Sequence, residues 1–261
     1  MDIYISSSVE KSIQEAAKLA EKLCTNLEIS RFPNMDYIDS NFEYILKEMK
    51  NSVKDFQGKI SLHALFSDLN PASKDYALRE IAKKRYQQSF EAALATDAKN
   101  MVFHSGHKGM KHKVSVQNYL EGSIKFWKEY IKQFEDKGII ASIENVLEDS
   151  PKNLITIVDE VNSPNLKICL DTGHANLCSD IPISEWIKTY GKRLHHMHWH
   201  NNYKTNDDHS SLKNGTVNFL DIWETLRNEN LYPLVVFEIF NKDFLIDSID
   251  TYKIFQNYPL K

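Results

Sequence analysis

Short apolar runs alternate with longer stretches of helical spacing from one end of the chain to the other. Eight of the runs read as β-strands: Ile3–Ser6, Asn26–Ser30, Ile60–His63, Met101–His104, Ile139–Glu144, Leu166–Asp171, Leu194–His198 and Leu234–Ile239. Between them lie helices with start signals. Ser7-Ser8-Val9-Glu10 reads as a capping box opening a helix to about Leu23, and Ser40-Asn41-Phe42-Glu43 opens the next. Asp75 to Ala95 and Val116 to Lys137 are long amphipathic stretches. Ser150-Pro151 and Pro182 with Ser184-Glu185-Trp186 place proline at a first helical turn, and Asn218–Asn228 and Asp243–Phe255 close the series.

Eight strand–helix units over this length have the size of a (β/α)₈ barrel, one α/β domain covering residues 1–261. An open doubly wound sheet shows the same alternation. The polar residues decide between them. His63, His104, Glu144, Asp171, His198 and Glu238 all sit toward the C-terminal end of a strand. In a closed barrel those ends meet at one mouth, whereas in an open sheet they spread along a line. The barrel is the predicted fold.

Composition narrows the class. With 42% hydrophobic and 26% charged residues and no low-complexity tract, the chain reads as globular. No run is long enough to span a bilayer, and the N-terminus lacks the pattern of a signal peptide, so a cytoplasmic protein with no membrane partner is expected. Three cysteines without a CxxC spacing argue against a disulfide framework. A net charge of −4 gives no global pull toward nucleic acid. The one conspicuous basic segment runs from His107 to Lys113.

Histidine is where the composition becomes chemical. Five of the ten histidines fall between His195 and His209. Imidazole beside carboxylate is ordinary metal-site chemistry. A period of two puts His196, His198 and His200 on one side of the seventh strand, with His195, Met197 and Trp199 on the other. His198 is the ligand candidate there, His196 a barrel-layer residue, and His195 a residue packed beneath a helix. Glu238 is flanked by large apolar residues, which a solvated glutamate does not explain. Glu144, taken alone, reads equally well as a loop glutamate. Asp171 and His174 bracket Gly173 and can address one site. His107, His112 and His200 read as loop histidines, and Glu28, Asp68 and Asp180 as capping or supporting groups.

Three strings, Leu170-Asp171-Thr172-Gly173-His174-Ala175, Ile143-Glu144-Asn145, and His196-Met197-His198 with Asp207-Asp208-His209, resemble the xylose isomerase-like TIM-barrel superfamily. That group unites sugar (phosphate) isomerases and epimerases with endonuclease IV, the AP endonuclease family 2. Resemblance to the epimerase branch implies one divalent metal (Mn, Zn or Mg) on Glu144, Asp171, His198 and Glu238. Glu144 and Glu238 would then be catalytic, on opposite faces of the sugar. Resemblance to the endonuclease branch implies three zinc ions: His63, His104 and Glu144 for the first, the same quartet for the second, and His174, Asp207 and His209 for the third. Asn201 and Lys213-Asn214-Gly215 depart from the family pattern in the loop that carries Asp207 and His209.

The expected function is therefore a divalent-metal-dependent isomerase or epimerase of a sugar or sugar phosphate, in carbohydrate metabolism. Its substrate would be held by His174, His209, Lys108, Phe66 and Trp199, and the chain can form a homo-oligomer. The alternative is a zinc-dependent phosphodiesterase at abasic sites, and only that reading calls for a nucleic-acid partner.

Overall fold

Eight parallel strands close into a barrel in sequence order, with β1 paired to both β2 and β8. This computed structural model describes residues 1–33 and 35–258. The strands are β1 (Ile3–Ser6), β2 (Asn26–Ile29), β3 (Ile60–His63), β4 (Asn100–His104), β5 (Ile140–Glu144), β6 (Leu166–Asp171), β7 (Leu194–Trp199) and β8 (Leu234–Phe237). The helices are α1 (Ile13–Leu23), α2 (Phe42–Val53), α3 (Tyr76–Thr96), α4 (Lys113–Tyr130), α5 (Lys132–Lys137), α6 (Lys152–Val161), α7 (Thr172–Cys178), α8 (Ile183–Tyr190), α9 (Phe219–Asn228) and α10 (Lys242–Gln256). No helix among the described residues is long and apolar enough to cross a membrane.

The strand alternation sorts side chains into two environments. Leu62, Phe103, Ile143, Leu170, Met197 and Phe237 join the main apolar core between the strands and the helices. The barrel interior is different. Tyr4, Leu234 and Val236 form a small apolar cluster of their own. Glu28, Ser61, Ser142, Cys169 and His196 are buried polar groups of the strands. A polar interior of this kind is costly unless its groups satisfy one another.

Three local expectations are corrected. The first helix begins at Ile13, not Ser7. Ser12 is its N-cap, with Glu15 N donating to Ser12 Oγ at 3.2 Å, while Ser7–Val9 is a 3₁₀ turn. Ser12-x-x-Glu15 offers the same capping chemistry one turn later, and the Ser6, Ser7 and Ser8 hydroxyls instead meet Ser30 Oγ at the end of β2. The stretch from Val116 to Lys137 divides into α4 and α5 at Ile131, and Gly138 closes it at φ +64°. The Gly173 turn is a full helix, α7, because Asp171 caps it by accepting from His174 N at 2.7 Å.

On β7 the alternation holds from His196 onward, but a register shift beside Ile168/Cys169 breaks it before that point. His195 consequently does not lie beneath a helix. Its Nε2 meets Asn100 Oδ1 of β4 at 2.8 Å.

Candidate metal centre

The site begins with Glu144 at the end of β5. Its carboxylate is fully buried and faced by four imidazoles: His63 Nε2 at 3.1 Å and His104 Nε2 at 3.4 Å on Oε2, and His174 Nδ1 and His198 Nδ1, each at 3.3 Å, on Oε1. His198 Nδ1 also lies 3.2 Å from Glu238 Oε2 and 3.6 Å from Asp171 Oδ2. Four donor atoms, one each from Glu144, Asp171, His198 and Glu238, therefore lie within 4.8 Å of one another. β8 ends at Phe237, so Glu238 is the first residue past the strand.

Backbone clamps fix this geometry. The Asn145 side chain spans from β5 to β6, donating to Asp171 O at 3.0 Å and accepting from Asp171 N at 2.9 Å. Thr172 Oγ1 donates to the carbonyls of His198 and His200, tying α7 to β7. His200, read from sequence as a loop histidine, is fully buried, with Nε2 at 3.0 Å from Asp171 Oδ2. It continues the even phase of His196 and His198 past the end of β7, and that phase was the available signal.

His174 and His209 converge on the loop after β7. Their Nε2 atoms stand 3.3 Å and 3.2 Å from Asp207 Oδ2. His209 Nδ1 meets the Glu238 carbonyl at 2.7 Å, and its ring stacks on both His200 and Phe240. The loop holds this shape with the residues that depart from the family pattern. Asn201 is buried, donates to Leu212 O at 2.8 Å and accepts from Val217 N at 2.9 Å, and Gly215 packs closely against its side chain.

Of the remaining expected contacts, Phe66 sits at the mouth, stacked on His104 at 4.3 Å with its edge toward His63. Phe240, not anticipated from the sequence, is a second exposed aromatic, stacked on His209 just past β8. Lys108 lies on the exposed loop after β4, its Nζ 4.0 Å from Asp68 Oδ1. Trp199 is corrected: it is fully buried against Phe219, Phe237 and Tyr252 behind the barrel wall, as its odd position on β7 requires. It does not face the mouth.

The electrostatics are those of a cation site. Burial alone would raise the carboxyl pKa values of Glu144 and Asp171. The imidazoles outweigh it, His198 and His104 at Glu144, His174 and His200 at Asp171, and hold both well below the ordinary carboxylate range. Burial would likewise discharge His198, but the carboxylates of Glu238, Glu144 and Glu28 keep its pKa well above normal. Three carboxylates gathered at one imidazole nitrogen draw in positive charge from whatever source is present. Glu144 Oε1 and His198 Nδ1 have no hydrogen-bond partner of good geometry. An all-oxygen-and-imidazole donor set of this kind fits a divalent cation.

Comparison with known proteins assigns the chain to a family. A model of the xylose isomerase-like TIM barrel family matches residues 13–254, and the chain belongs to that family. An uncharacterized protein of Methanocaldococcus jannaschii, MJ1311, is 27% identical over 97% of this chain and 84% of its own. A D-tagatose 3-epimerase-like protein superposes with a TM-score of 0.81 at 26% identity, over 98% of this chain and 97% of its own. A Thermus thermophilus protein soaked with ZnCl2 superposes at 0.77 and 20% identity, covering 98% of each chain.

Proposed function

We propose that this chain is a divalent-metal-dependent isomerase or epimerase of a sugar or sugar phosphate. The observation that carries the reading is the meeting of two glutamates from different strands at one imidazole nitrogen, Glu144 at 3.3 Å and Glu238 at 3.2 Å from His198 Nδ1. The similarity to a D-tagatose 3-epimerase-like protein supports a sugar as substrate. Glu144, Asp171, His198 and Glu238 would hold the ion, which supplies Lewis acidity to the oxygens flanking the reacting carbon.

The chain's own groups do the proton work. Glu238 is the more open of the two carboxylates, its side chain 12% exposed against 1% for Glu144. Burial favours its neutral form, but His198 and His209 hold its pKa below normal, so it is a carboxylate ready to accept a proton. One glutamate removes the proton from the carbon beside the substrate carbonyl, and the other returns a proton to the opposite face, which inverts that centre. His174 and His209 bind substrate hydroxyls. Phe66 and Phe240 flank the mouth with apolar surface for the sugar's C–H face, and Lys108 is the rim cation for a phosphate. The test is deuterium exchange. Protein loaded with Mn, Zn or Mg is incubated in heavy water with ketoses and ketose phosphates, and proton NMR follows label entering the position beside the carbonyl. Metal-dependent exchange with appearance of the epimer supports the reading, and no exchange with any of them overturns it.

The zinc phosphodiesterase reading has its own observation, the His174–Asp207–His209 grouping beside His63, His104 and Glu144. The quartet is common to both readings and the His63–His104–Glu144 set is drawn as tightly, so the isomerase is favoured by the third set alone: His174, Asp207 and His209 are not among the groups whose donors lie within 4.8 Å of one another among the described residues. The chain's net charge of −4 points the same way, since binding a duplex needs several phosphate contacts from lysine and arginine.

A further inference from the structure

Glu28 lies on β2, one layer below the quartet, and is fully buried. Its Oε1 is 3.1 Å from His198 Nε2, its Oε2 is 3.1 Å from His196 Nε2, and Ser61 Oγ donates to Oε2 at 2.8 Å. β2 and β7 are not neighbours in the barrel, so this side chain reaches across the interior. We infer that Glu28 is a positioning residue for the metal centre, fixing His198 from behind so that Nδ1 presents its lone pair to the cation. The inference rests on the reading that the quartet binds a divalent ion.

The argument follows from the two sides of one ring. His198 Nδ1 faces Glu144, Asp171 and Glu238, while Nε2 faces Glu28. A neutral imidazole carries its hydrogen on one nitrogen only. To serve as a ligand through Nδ1 it must carry that hydrogen on Nε2, and the carboxylate at hydrogen-bond distance from it is Glu28, 3.1 Å away, although neither Nε2 nor Glu28 Oε1 has an aligned hydrogen bond. A carboxylate accepting from the far nitrogen also makes the near one a stronger donor to a cation. Ser61 Oγ holds Oε2 by donating to it at 2.8 Å, which keeps the carboxylate beside His198.

Cys169, His196 and His198 also bring donor atoms within 4.8 Å of one another. A cation seated there would take His198 through Nε2 and displace Glu28 from it, so the experiment must tell the two arrangements apart. Zinc affinity is measured by chelator competition on the full chain, as wild type and as Glu28→Gln and His196→Gln, beside the melting temperature of each metal-free protein. Glu28→Gln is expected to bind zinc about 10- to 100-fold more weakly, and His196→Gln to bind within a few-fold of wild type. A merely structural Glu28 would lower the melting temperature and leave zinc affinity unchanged, which overturns the inference. Zinc-loaded wild type labelled with ¹⁵N-histidine needs no variant: His198 should show a metal-shifted Nδ1 and a protonated Nε2, and the reverse overturns it. So does a cobalt–thiolate absorption band that Cys169→Ser removes, because it places the ion below the ring. If wild type binds no zinc at all, the metal reading itself falls, a result distinct from equal binding by wild type and Glu28→Gln.

Discussion

The His200 ring occupies the space that a Cβ on residue 173 would need. Gly173 is helical, so its value here is the absence of a side chain, not a special backbone angle. The close approach lets His200 Nε2 reach both oxygens of Asp171, at 3.1 and 3.0 Å. Gly173→Ala should push His200 off Asp171, cost about 1–3 kcal/mol of stability as an overpacked core site, and weaken metal binding. Thermal melting and zinc titration of the variant check this, and unchanged values for both would show that the contact is not needed.

Glu238→Gln keeps the shape of the side chain but not its basicity. The barrel and much of the metal affinity should survive. Turnover, followed by deuterium exchange, should fall about 10²- to 10⁴-fold, the range for loss of a general acid–base group. Near-wild-type exchange would remove Glu238 from the proton transfer.

His209 belongs to the outer group and not to the quartet. His209→Ala should leave the ion on Glu144, Asp171, His198 and Glu238 in place and raise KM more than it lowers kcat. The wild-type protein should also fail to nick duplex DNA carrying an abasic site. Zinc-dependent nicking that His209→Ala abolishes would install the phosphodiesterase in place of the isomerase.

Acidity should separate the inner and outer positions. Burial opposes charge on His209, but Asp207 and Glu238 outweigh it and lift its pKa to about 9. His209 therefore keeps its proton at neutral pH, and a cation taking Nε2 must displace it. Any second equivalent of zinc bound by His174, Asp207 and His209 should bind more tightly as pH rises through about 9, because His174 as well as His209 holds its proton above the usual histidine range. Calorimetric titrations at several pH values read this directly, and a second binding step indifferent to pH would exclude His209 as a ligand.

The strand ends were legible because a buried carboxylate or imidazole closing an apolar strand has few bland explanations. His63, His104, Glu144 and Asp171 end their strands in the structure, His198 is one residue short of the end of β7, and Glu238 follows β8 by one residue. Trp199 was misplaced against the period of two, which already set it on the side of β7 opposite His198. His195 escaped that rule because the irregularity between β6 and β7 carries no sequence mark. Asp171 was legible as a strand-end carboxylate but not as the cap of α7, since Gly173 suggested a turn. The contact of Glu28 with His198 was not readable at all. It joins strands three places apart around the barrel, and only closure brings them together.

The central claim is that Glu144, Asp171, His198 and Glu238 hold a single divalent ion for proton transfer on a sugar. Elemental analysis of the purified chain, counting ions per protein in wild type and in Asp171→Asn, tests it most directly. The account predicts one ion per chain in wild type, largely lost in the variant. No bound metal in wild type, or three zinc ions per chain, would contradict it.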